Sequence, residues 1–335
     1  MGKTQPVKNK PFSQIIGTGV GIPQKVLTNF DLEKMVDTSD EWIKSRTGIE
    51  TRYIAEEGQF TSDLGTTAAL NALHDAHVSA KDVDVIIFAT ITPDVGFPAT
   101  AVFVQKNIGA VNAAAFDIQA ACTGFLYGLE LADSLIAAKK AKTVLLIGGE
   151  TISRITDYSD RNTCVLFGDG AGAVVLRAAE DDHGILGVYT RSDGRLNNLL
   201  KLDGLGTKYP PTPEHYDQKM HFLRMEGREV FKHAVTCMGD AAEAIMERAS
   251  LSTEEVDLLI PHQANIRIIE ATAKRVKVPP EKVFINVNKY GNTSAASIPI
   301  AIDEARRQGR LKTGSVAVLV AFGGGFTWGA AAIRF

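Results

Sequence analysis

The sequence predicts an α/β fold made of two related halves, and two observations lead to that prediction. Short apolar strands alternate with amphipathic helices along the chain, a pattern typical of buried, largely parallel sheets. In addition, the second half of the sequence repeats the first in three pairs of segments: 83–93 with 256–266, 116–150 with 285–325, and 166–176 with 321–335. We therefore expect one half to span residues 12–178 and the other residues 179–335.

Size and composition limit the classes of protein that fit. The 335 residues, 45% hydrophobic and 22% charged, suffice for two packed halves of a soluble protein. A net charge of −3 argues against a general nucleic-acid binder. The three cysteines form neither a disulfide framework nor a metal-ligand spacing, and no apolar run reaches the roughly 18 residues of a membrane span. We expect a cytoplasmic protein without metal, nucleic-acid or membrane partners, preceded by a disordered tail at residues 1–11.

Capping signals predict where several helices begin. The stretch 38–41, TSDE, is typical of a capping box that opens a helix. Ser62 or Asp63 is expected to cap a second helix, and Arg228 to open a long third one. Residues 196–218 show the least regular pattern, which indicates a surface excursion.

The glycine-rich segment 168–173, GDGAGA, could indicate a phosphate-binding loop. Such loops lie between a strand and a helix, whereas these glycines are followed by the apolar strand VVLR. We therefore favour a tight turn with close backbone packing. The same holds for GGGF at 323–326, which the repeat assigns to the sheet end that carries Cys122.

Cys122 is the cysteine with the strongest catalytic signal. It lies in AACTGF, between a strand and a helix, whereas Cys164, expected to open the strand TCVLF, and Cys237 belong to apolar core patterns. A thiol at a helix start meets unpaired N–H groups and the positive end of the helix dipole, which lower its pKa from about 8.5. We therefore expect Cys122 to be a nucleophile rather than buried filler, with a lowered pKa.

His262 is the histidine best situated to serve such a nucleophile, because it follows directly after the apolar strand VDLLIP. The repeat aligns Asn292 with Cys122, since 39 residues separate Val83 from Cys122 and 36 separate Val256 from Asn292. The alternative role for Asn292 is an N-cap of the next helix. Convergence of Cys122, His262 and Asn292 on one site would favour catalysis.

Motifs along almost the whole chain resemble the β-ketoacyl-acyl-carrier-protein synthase III family of the thiolase fold. They are TSDEWIKSRTGI from residue 38, AACTGF from 120, FGDGAGA from 167, PHQAN from 261, GNTSAASIP from 291 and AFGGGFTWG from 321. The resemblance implies duplicated βαβαβαββ halves in a five-layered αβαβα arrangement. It also implies an acyltransferase that starts fatty acid synthesis, condensing a short or branched acyl-CoA with malonyl-acyl carrier protein and releasing CoA and CO₂ without a cofactor.

The resemblance further assigns catalytic roles. It implies a triad of Cys122, His262 and Asn292, and an oxyanion hole from the backbone N–H groups of Cys122 and Gly324. The Cys122 thiolate would attack the acyl-CoA thioester, and loss of CO₂ from the malonyl group would then leave an enolate. His262 and Asn292 would stabilise the enolate oxygen as neutral hydrogen-bond donors.

Binding residues are implied for both substrates and for a second copy of the chain. Phe97 would reach across a homodimer into the partner's acyl pocket, and Phe322 would line that pocket as well. The implied CoA contacts are Trp42 as an adenine platform, Arg161 on its other side, Arg46 near the phosphates, Arg228 and Asn265. The implied contacts to the acidic carrier protein are Lys232, Gln263, Ala264, Asn265, Ile266, Arg267, Lys274 and Arg275.

Plainer interpretations stand beside these assignments. Trp42 and Arg46 could be a stacked surface pair, and the basic residues that follow PHQAN could be a solvated helix face. A condensing enzyme of secondary metabolism with a different starter is an alternative function, which a panel of acyl-CoA primers would separate. A nucleotide-binding oxidoreductase is a third, which the absence of any NAD(P)H effect on thermal stability would exclude.

Overall fold

The computed structural model describes residues 10–335, which form strands and helices in alternation. The strands are β1 Ser13–Gly21, β2 Lys25–Thr28, β3 Thr51–Ile54, β4 Val85–Ala89, β5 Ala114–Ile118, β6 Thr143–Glu150, β7 Gly170–Ala178, β8 Gly184–Ser192, β9 Leu200–Lys201, β10 Arg224–Met225, β11 Leu258–Pro261, β12 Val316–Gly323 and β13 Thr327–Arg334. The α-helices are α1 Asn29–Leu32, α2 Asp40–Thr47, α3 Thr61–Asp75, α4 Thr100–Ile108, α5 Gly124–Ala137, α6 Pro213–Asp217, α7 Gly227–Arg248, α8 Ile266–Arg275, α9 Val287–Tyr290 and α10 Ser297–Arg307.

Two larger sheets organise the fold, and their strands follow corresponding orders. The first has the order β1-β7-β6-β4-β5 and the second the order β8-β13-β12-β11. Strand β4 pairs in parallel with both β5 and β6, and β11 pairs in parallel with β12, while β7 and β13 run antiparallel to both of their neighbours. The expectation of largely parallel strands is therefore confirmed in direction, because one strand in each of these two sheets, β7 or β13, runs against the others.

The layers confirm an α/β fold with five levels. Side chains of α5 and α10 form one buried cluster with strands of both sheets, so these two helices lie between the sheets. Helices α3 and α4 pack on the outer face of the first sheet, and α7 and α8 pack on the second. The order is therefore helix, sheet, helix, sheet, helix.

Glycines bring the central helices close to the first sheet. A Cβ at Gly148 would lie 2.3 Å from the backbone oxygen of Ala295, and one at Gly172 would lie 2.8 Å from the backbone nitrogen of Ile300. Segment 168–173 runs directly into β7 rather than into a helix. The prediction of close backbone packing instead of a phosphate-binding loop is confirmed for this segment.

Local details differ from the sequence-based expectations in three places. Helix α3 begins at Thr61 with Phe60 at the N-cap position, so Ser62 and Asp63 both lie in its first turn, where Asp63 accepts a hydrogen bond from the Phe60 N–H. Cys164 is buried as expected, but it lies in a turn rather than a strand. Most of the expected tail, 1–9, lies outside the described residues, and Pro11 is buried.

Candidate active site

Cys122 lies in a short 3₁₀ turn, Ala121–Thr123, that connects β5 to the start of α5. The side chain is 8% exposed, and Ala121 before it adopts a left-handed backbone with φ of 47°. A Cβ at Gly323 would lie only 2.7 Å from the Cys122 nitrogen. Glycine at that position therefore lets the C-terminal glycine loop, 323–326, lie against the cysteine.

A second turn of the same shape faces the first. Ser294–Ala296 forms a 3₁₀ turn before α10, and Ser294 has the same φ of 47° as Ala121. The two turns pack against each other. Aligned on these turns, the counterpart of Cys122 is Ala295, which lies 39 residues after Val256, as Cys122 lies 39 after Val83. The alignment of Asn292 with Cys122 was therefore wrong by three residues.

His262 follows β11 directly and is 3% exposed. Its backbone N–H donates to the Val320 oxygen at 2.7 Å, which continues the pairing with β12 beyond the end of the strand. The ring nitrogen Nδ1 lies 2.6 Å from the Ser297 hydroxyl, at the first residue of α10. Ser297 thus fixes the ring orientation and leaves Nε2 as the other hydrogen-bonding atom of the imidazole.

Asn292 is held by both its backbone and its side chain. Its N–H donates to the Leu166 oxygen at 2.8 Å, and its oxygen accepts from the Gly168 N–H at 3.1 Å. The side-chain oxygen Oδ1 accepts from the Ser294 N–H at 2.9 Å. Asn292 is 8% exposed. These contacts commit Oδ1 and leave the NH₂ group as the part of the amide that can donate to a ligand.

One cavity of about 1210 Å³ brings these groups together. Cys122, His262 and Asn292 all line it, together with Gly324 and Phe322. The two halves of the chain contribute the cysteine on one side and the histidine and asparagine on the other. The convergence on which the sequence argument depended is therefore present.

Burial controls the protonation of this site. Burial, the largest influence, raises the pKa of the Cys122 thiol to about 12, although the Ser294 hydroxyl opposes this rise. Burial also lowers the pKa of His262 to about 3. The prediction that the helix start lowers the pKa of Cys122 was wrong, because the loss of solvation outweighs the effect of the helix dipole. Thiol and imidazole are both neutral at pH 7.

Three of the residues predicted to bind CoA form a stack of side chains on the surface. The Trp42 ring has Arg161 at 4.9 Å and Arg46 at 5.2 Å from its centroid. Arg161 also donates from Nη1 to the Asp37 backbone oxygen at 2.8 Å. The stacked pair weighed from the sequence is thus present, enlarged by Arg161. Arg228 is exposed at the start of α7.

The predicted carrier-protein surface needs one correction. Gln263 is 1% exposed; its amide NH₂ donates to the Pro261 and Phe284 oxygens, and its Oε1 accepts from two backbone N–H groups. Its side chain is therefore part of the interior and cannot contact a partner. Asn265 caps α8 and donates to the Arg46 backbone oxygen at 3.0 Å.

The charged members of that surface divide into two groups. Lys232, Arg267 and Lys274 are exposed. Arg275 forms ion pairs with Asp240 and Glu243, which offset its positive charge. The remaining predicted members, Ala264 and Ile266, are half-buried.

The two predicted acyl-pocket residues lie in different environments. Phe322 is 4% exposed and packs on Phe326 with ring centroids 4.6 Å apart. Phe97 is 89% exposed and lies in the segment that connects β4 to α4. In a single copy of the described chain, most of the apolar surface of Phe97 is therefore in contact with solvent.

Several residues of the cavity were missed by the sequence analysis. The excursion at 196–218 supplies Leu200, Leu202 and Leu205 to the lining, so this segment covers the cavity rather than only decorating the surface. Its run LNNLLKLDGLG is unusually rich in leucine for an exposed loop, a signal that could have indicated this. Ser294 and Ser297 carried no comparable signal, because their roles depend on which side chains face them.

Comparisons with known proteins agree along the chain. The family model 3-oxoacyl-[acyl-carrier-protein (ACP)] synthase III matches residues 116–194, and its C-terminal model matches residues 246–335. A beta-ketoacyl-[acyl-carrier-protein] synthase III from Caldanaerobacter subterraneus subsp. tengcongensis is 53% identical over 321 residues, 96% of this chain and 97% of the relative.

Solved structures give the same result. Crystalline 3-oxoacyl-[acyl-carrier-protein] synthase III from Aquifex aeolicus superposes with a TM-score of 0.90 at 50% identity, over 96% of this chain and 100% of that chain. The corresponding synthase from Pseudomonas aeruginosa gives 0.89 at 42%, over 97% and 98%. The priming β-ketosynthase of the R1128 polyketide pathway gives 0.89 at 31%, over 99% and 98%.

The layered fold and the shared cavity define a thiolase-fold condensing enzyme. Relatives more than 50% identical over nearly the whole chain specify the class further. The chain belongs to the β-ketoacyl-[acyl-carrier-protein] synthase III family and is an acyltransferase of fatty acid biosynthesis.

Within residues 10–335, no helix is both long and apolar enough to cross a membrane. The described residues also contain no group of three or more His, Cys, Asp or Glu side chains arranged to hold a metal ion.

Proposed function

We propose that this cavity catalyses a decarboxylative Claisen condensation between an acyl-CoA primer and malonyl-acyl carrier protein, yielding a 3-ketoacyl-acyl carrier protein, CoA and CO₂. The observation that carries the proposal is the convergence of Cys122, His262 and Asn292 on one cavity lined by both halves. A cysteine nucleophile beside two side chains able to donate hydrogen bonds suits transfer of an acyl group followed by attack of an enolate.

In the first step, the Cys122 sulfur attacks the thioester carbonyl of the primer. The oxygen of the tetrahedral intermediate becomes negative, and the backbone N–H groups of Cys122 and Gly324 are the proposed donors to it. Collapse breaks the carbon–sulfur bond to CoA and leaves the acyl group on Cys122. Leucines of the excursion and Phe322 provide an apolar surface for the acyl chain.

In the second step, loss of CO₂ from the malonyl group supplies the carbanion, so no strong base has to remove a C–H proton. Negative charge develops on the thioester oxygen, and two neutral donors stabilise it. When Ser297 donates its hydroxyl hydrogen to Nδ1, the imidazole carries its hydrogen on Nε2, which is the donor required. The Asn292 NH₂ group is the second donor, because Ser294 already occupies Oδ1.

The low pKa of His262, about 3, suits this role. A buried imidazole that stays neutral through physiological pH keeps a single ring hydrogen to donate and does not ionise when the enolate forms. Because burial lowers the pKa to about 3, His262 stays unprotonated at every pH above about 4. Condensation should therefore show no loss attributable to His262 between pH 5 and 9.

Substrate binding and assembly extend the proposal. CoA adenine is proposed to bind at Trp42, with Arg46, Arg161, Arg228 and Asn265 as further contacts. The exposed cations Lys232, Arg267 and Lys274 would dock the acidic carrier protein. Phe97, with most of its ring in solvent, would enter the acyl pocket of a second copy in a homodimer. We also propose a cytoplasmic location, with no cofactor and no membrane or nucleic-acid partner.

Secondary metabolism is the second candidate for the pathway served. It is not favoured, because the relative that primes a polyketide pathway is 31% identical, whereas the fatty-acid type synthases reach 53%. Comparing acetyl-, isobutyryl- and long-chain acyl-CoA as primers tests which starter this cavity accepts.

The nucleophile is tested by Cys122→Ser with Ala295→Ser as its matched control. Both changes place a hydroxyl at the same position of the two facing turns. We expect Cys122→Ser to lose acetyl transfer from acetyl-CoA by more than about 10³-fold, because a serine hydroxyl is far less readily ionised than a thiol. Ala295→Ser should still gain the acetyl mass of the acyl-enzyme, measured by intact mass spectrometry. Acetylation of Cys122→Ser at the wild-type rate would show that another residue is the nucleophile.

A further inference from the structure

Glu150 is a buried carboxyl that the condensation mechanism above does not use. It is the last residue of β6 and is 0% exposed. The loop after β4 supplies its hydrogen bonds: Oε2 accepts from the Thr92 hydroxyl at 2.6 Å, from the Thr90 hydroxyl at 3.0 Å and from the Ile91 N–H at 3.0 Å. Burial raises the pKa of this carboxyl to about 7, and these hydrogen bonds oppose the rise.

Ser294 belongs to the turn that packs against both β6 and the turn of Cys122. A Cβ at Gly148, two residues before Glu150 on β6, would lie 2.3 Å from the oxygen of the neighbouring Ala295. The Ser294 hydroxyl lowers the pKa of both the Cys122 thiol and the Glu150 carboxyl. It is 1% exposed, lines the cavity and has no partner at standard hydrogen-bond geometry. The interactions of the Ser294 hydroxyl with the thiol and with the carboxyl are therefore longer or less well aligned than an ordinary hydrogen bond. Such loose geometry is common at catalytic sites before substrate binds.

The first step of the reaction needs an acceptor for a proton. A thiol whose pKa is about 12 must give up its proton as the sulfur attacks. In the tautomer required for condensation, His262 already carries a hydrogen on Nε2 and accepts from Ser297 at Nδ1, so the ring has no free acceptor. The Ser294 hydroxyl influences both the Cys122 thiol and a buried carboxyl, Glu150, that could receive the proton.

We propose that Glu150, acting through the Ser294 hydroxyl, holds the Cys122 proton while the cysteine is acylated. The S–H proton passes to the Ser294 oxygen as the Ser294 proton passes to the Glu150 carboxylate. The sulfur bonds to the acyl carbon, the bond to CoA breaks, and the CoA thiolate takes a proton from solvent. When the enolate expels the Cys122 sulfur, the proton returns by the same path. This inference rests on the proposed role of Cys122 as nucleophile.

The groups around Glu150 are compatible with this exchange. The loop after β4 presents Thr90 and Thr92, the turn before α10 presents Ser294, and the turn before α5 presents Cys122, which is the titratable group among these four. The neighbouring carboxyl at the start of β7, Asp169, is occupied by Ser153 and by the Ala55 N–H. Of these two carboxyls, Glu150 is the one that influences the pKa of the Cys122 thiol.

A purely electrostatic role of Glu150 predicts the opposite result from the proton-holding role. The negative carboxylate raises the pKa of the Cys122 thiol, so its charge alone disfavours the thiolate. Glu150→Gln removes that charge but keeps the shape of the side chain. If charge alone mattered, the variant would acylate faster; if Glu150 accepts the proton, it will acylate more slowly.

The experiment measures single-turnover acylation of the full-length protein by acetyl-CoA between pH 5.5 and 9.5, with rapid acid quench and intact mass spectrometry. We expect the wild-type rate to rise through about pH 7 as Glu150 ionises. Glu150→Gln should lose this rise and be about 10²-fold slower at pH 8, the usual contribution of a general base. Ser294→Ala should behave likewise, and Ala121 shows that alanine is accommodated at the same φ of 47°.

Asp169→Asn is the control, since it neutralises another buried carboxyl of the same half that does not face Cys122. It should keep the wild-type pH profile, whatever it does to stability. Rates within twofold of wild type, or faster, in both Glu150→Gln and Ser294→Ala would overturn the proposal. Should Glu150→Gln fail to fold, Ser294→Ala alone decides.

A second readout separates this inference from the proposed function. Alkylation of Cys122 by iodoacetamide, measured without acyl-CoA by peptide mapping over the same pH range, should show the same dependence on Glu150 and Ser294. If Cys122 accepts no acyl group but its alkylation keeps this dependence, the proposed function fails and the proton path stands. If acylation proceeds and neither variant changes either reaction, the proton path is wrong and the function stands.

Discussion

The two facing turns of this enzyme have the same backbone and different chemistry. Ala121–Thr123 and Ser294–Ala296 both begin with a left-handed residue of φ 47° and both lead into a central helix. The first carries Cys122 at its middle position, whereas the second carries Ala295 there and hydroxyls on either side, Ser294 and Ser297. The two turns therefore share a backbone shape, while their side chains suit the different roles proposed above: nucleophilic attack for the first turn, and orientation of His262 and Asn292 for the second.

The largest effects are expected for the two proposed hydrogen-bond donors of the second half, His262 and Asn292. His262→Ala and Asn292→Ala should each slow condensation by about 10²–10³-fold, because each removes one donor to the enolate oxygen. Both variants should still form the acyl-enzyme, since neither side chain is needed for attack by the sulfur.

The measurement is a pair of assays on the same samples: acyl-enzyme formation by intact mass, and decarboxylation of malonyl-acyl carrier protein by CO₂ release. Gln119→Ala is the matched control, because Gln119 is the counterpart of Asn292 in the first turn and also lines the cavity. Unimpaired condensation in His262→Ala or Asn292→Ala would remove their donor roles.

A substitution in the C-terminal glycine loop, which lies against the first turn, should have an effect of intermediate size on activity. Gly323→Ala places a Cβ 2.7 Å from the Cys122 nitrogen, so either the loop or the turn must move. We expect a destabilisation of about 1–3 kcal/mol, and a lower kcat because the proposed oxyanion donors are displaced.

Thermal unfolding and steady-state kinetics check both parts of this prediction. Gly194→Ala is the control, because a Cβ there meets open space and Gly194 has no positive φ. A Gly323→Ala variant with wild-type stability and kcat would mean that the contact between loop and turn has no functional consequence.

The smallest effect concerns the outer helix of the second half. Arg267→Glu should raise the KM for malonyl-acyl carrier protein about three- to tenfold, and less so in high salt, because it reverses one exposed charge of a docking surface. The kcat and the KM for acyl-CoA should change little. Lys312→Glu, an exposed lysine after α10, is the control. Equal effects of both reversals would point to net charge rather than to a docking site.

The sequence was a good guide to elements and to residues with chemistry, and a poor guide to what burial does to them. Cys122 and His262 could be singled out because each lies between the end of a strand and the start of a helix, and Asn292 because the internal repeat placed it near Cys122. The rise in the thiol pKa and the interior position of Gln263 could not be predicted, since both depend on side chains from distant segments. The alignment of Asn292 was wrong by three residues because spacings of 39 and 36 residues were accepted as equivalent, whereas the two turns superpose at equal spacing.

The stack at Trp42 has a consequence for how a nucleotide would arrive. Guanidinium groups lie near the ring from both Arg46 and Arg161, so the aromatic face is already occupied when the protein is alone. An incoming adenine would have to exchange with a cation rather than fill an empty slot. The displaced arginine would then be free to pair with a phosphate of the same nucleotide. Binding of the adenine would thus both expose the Trp42 ring and supply a cation for the phosphate.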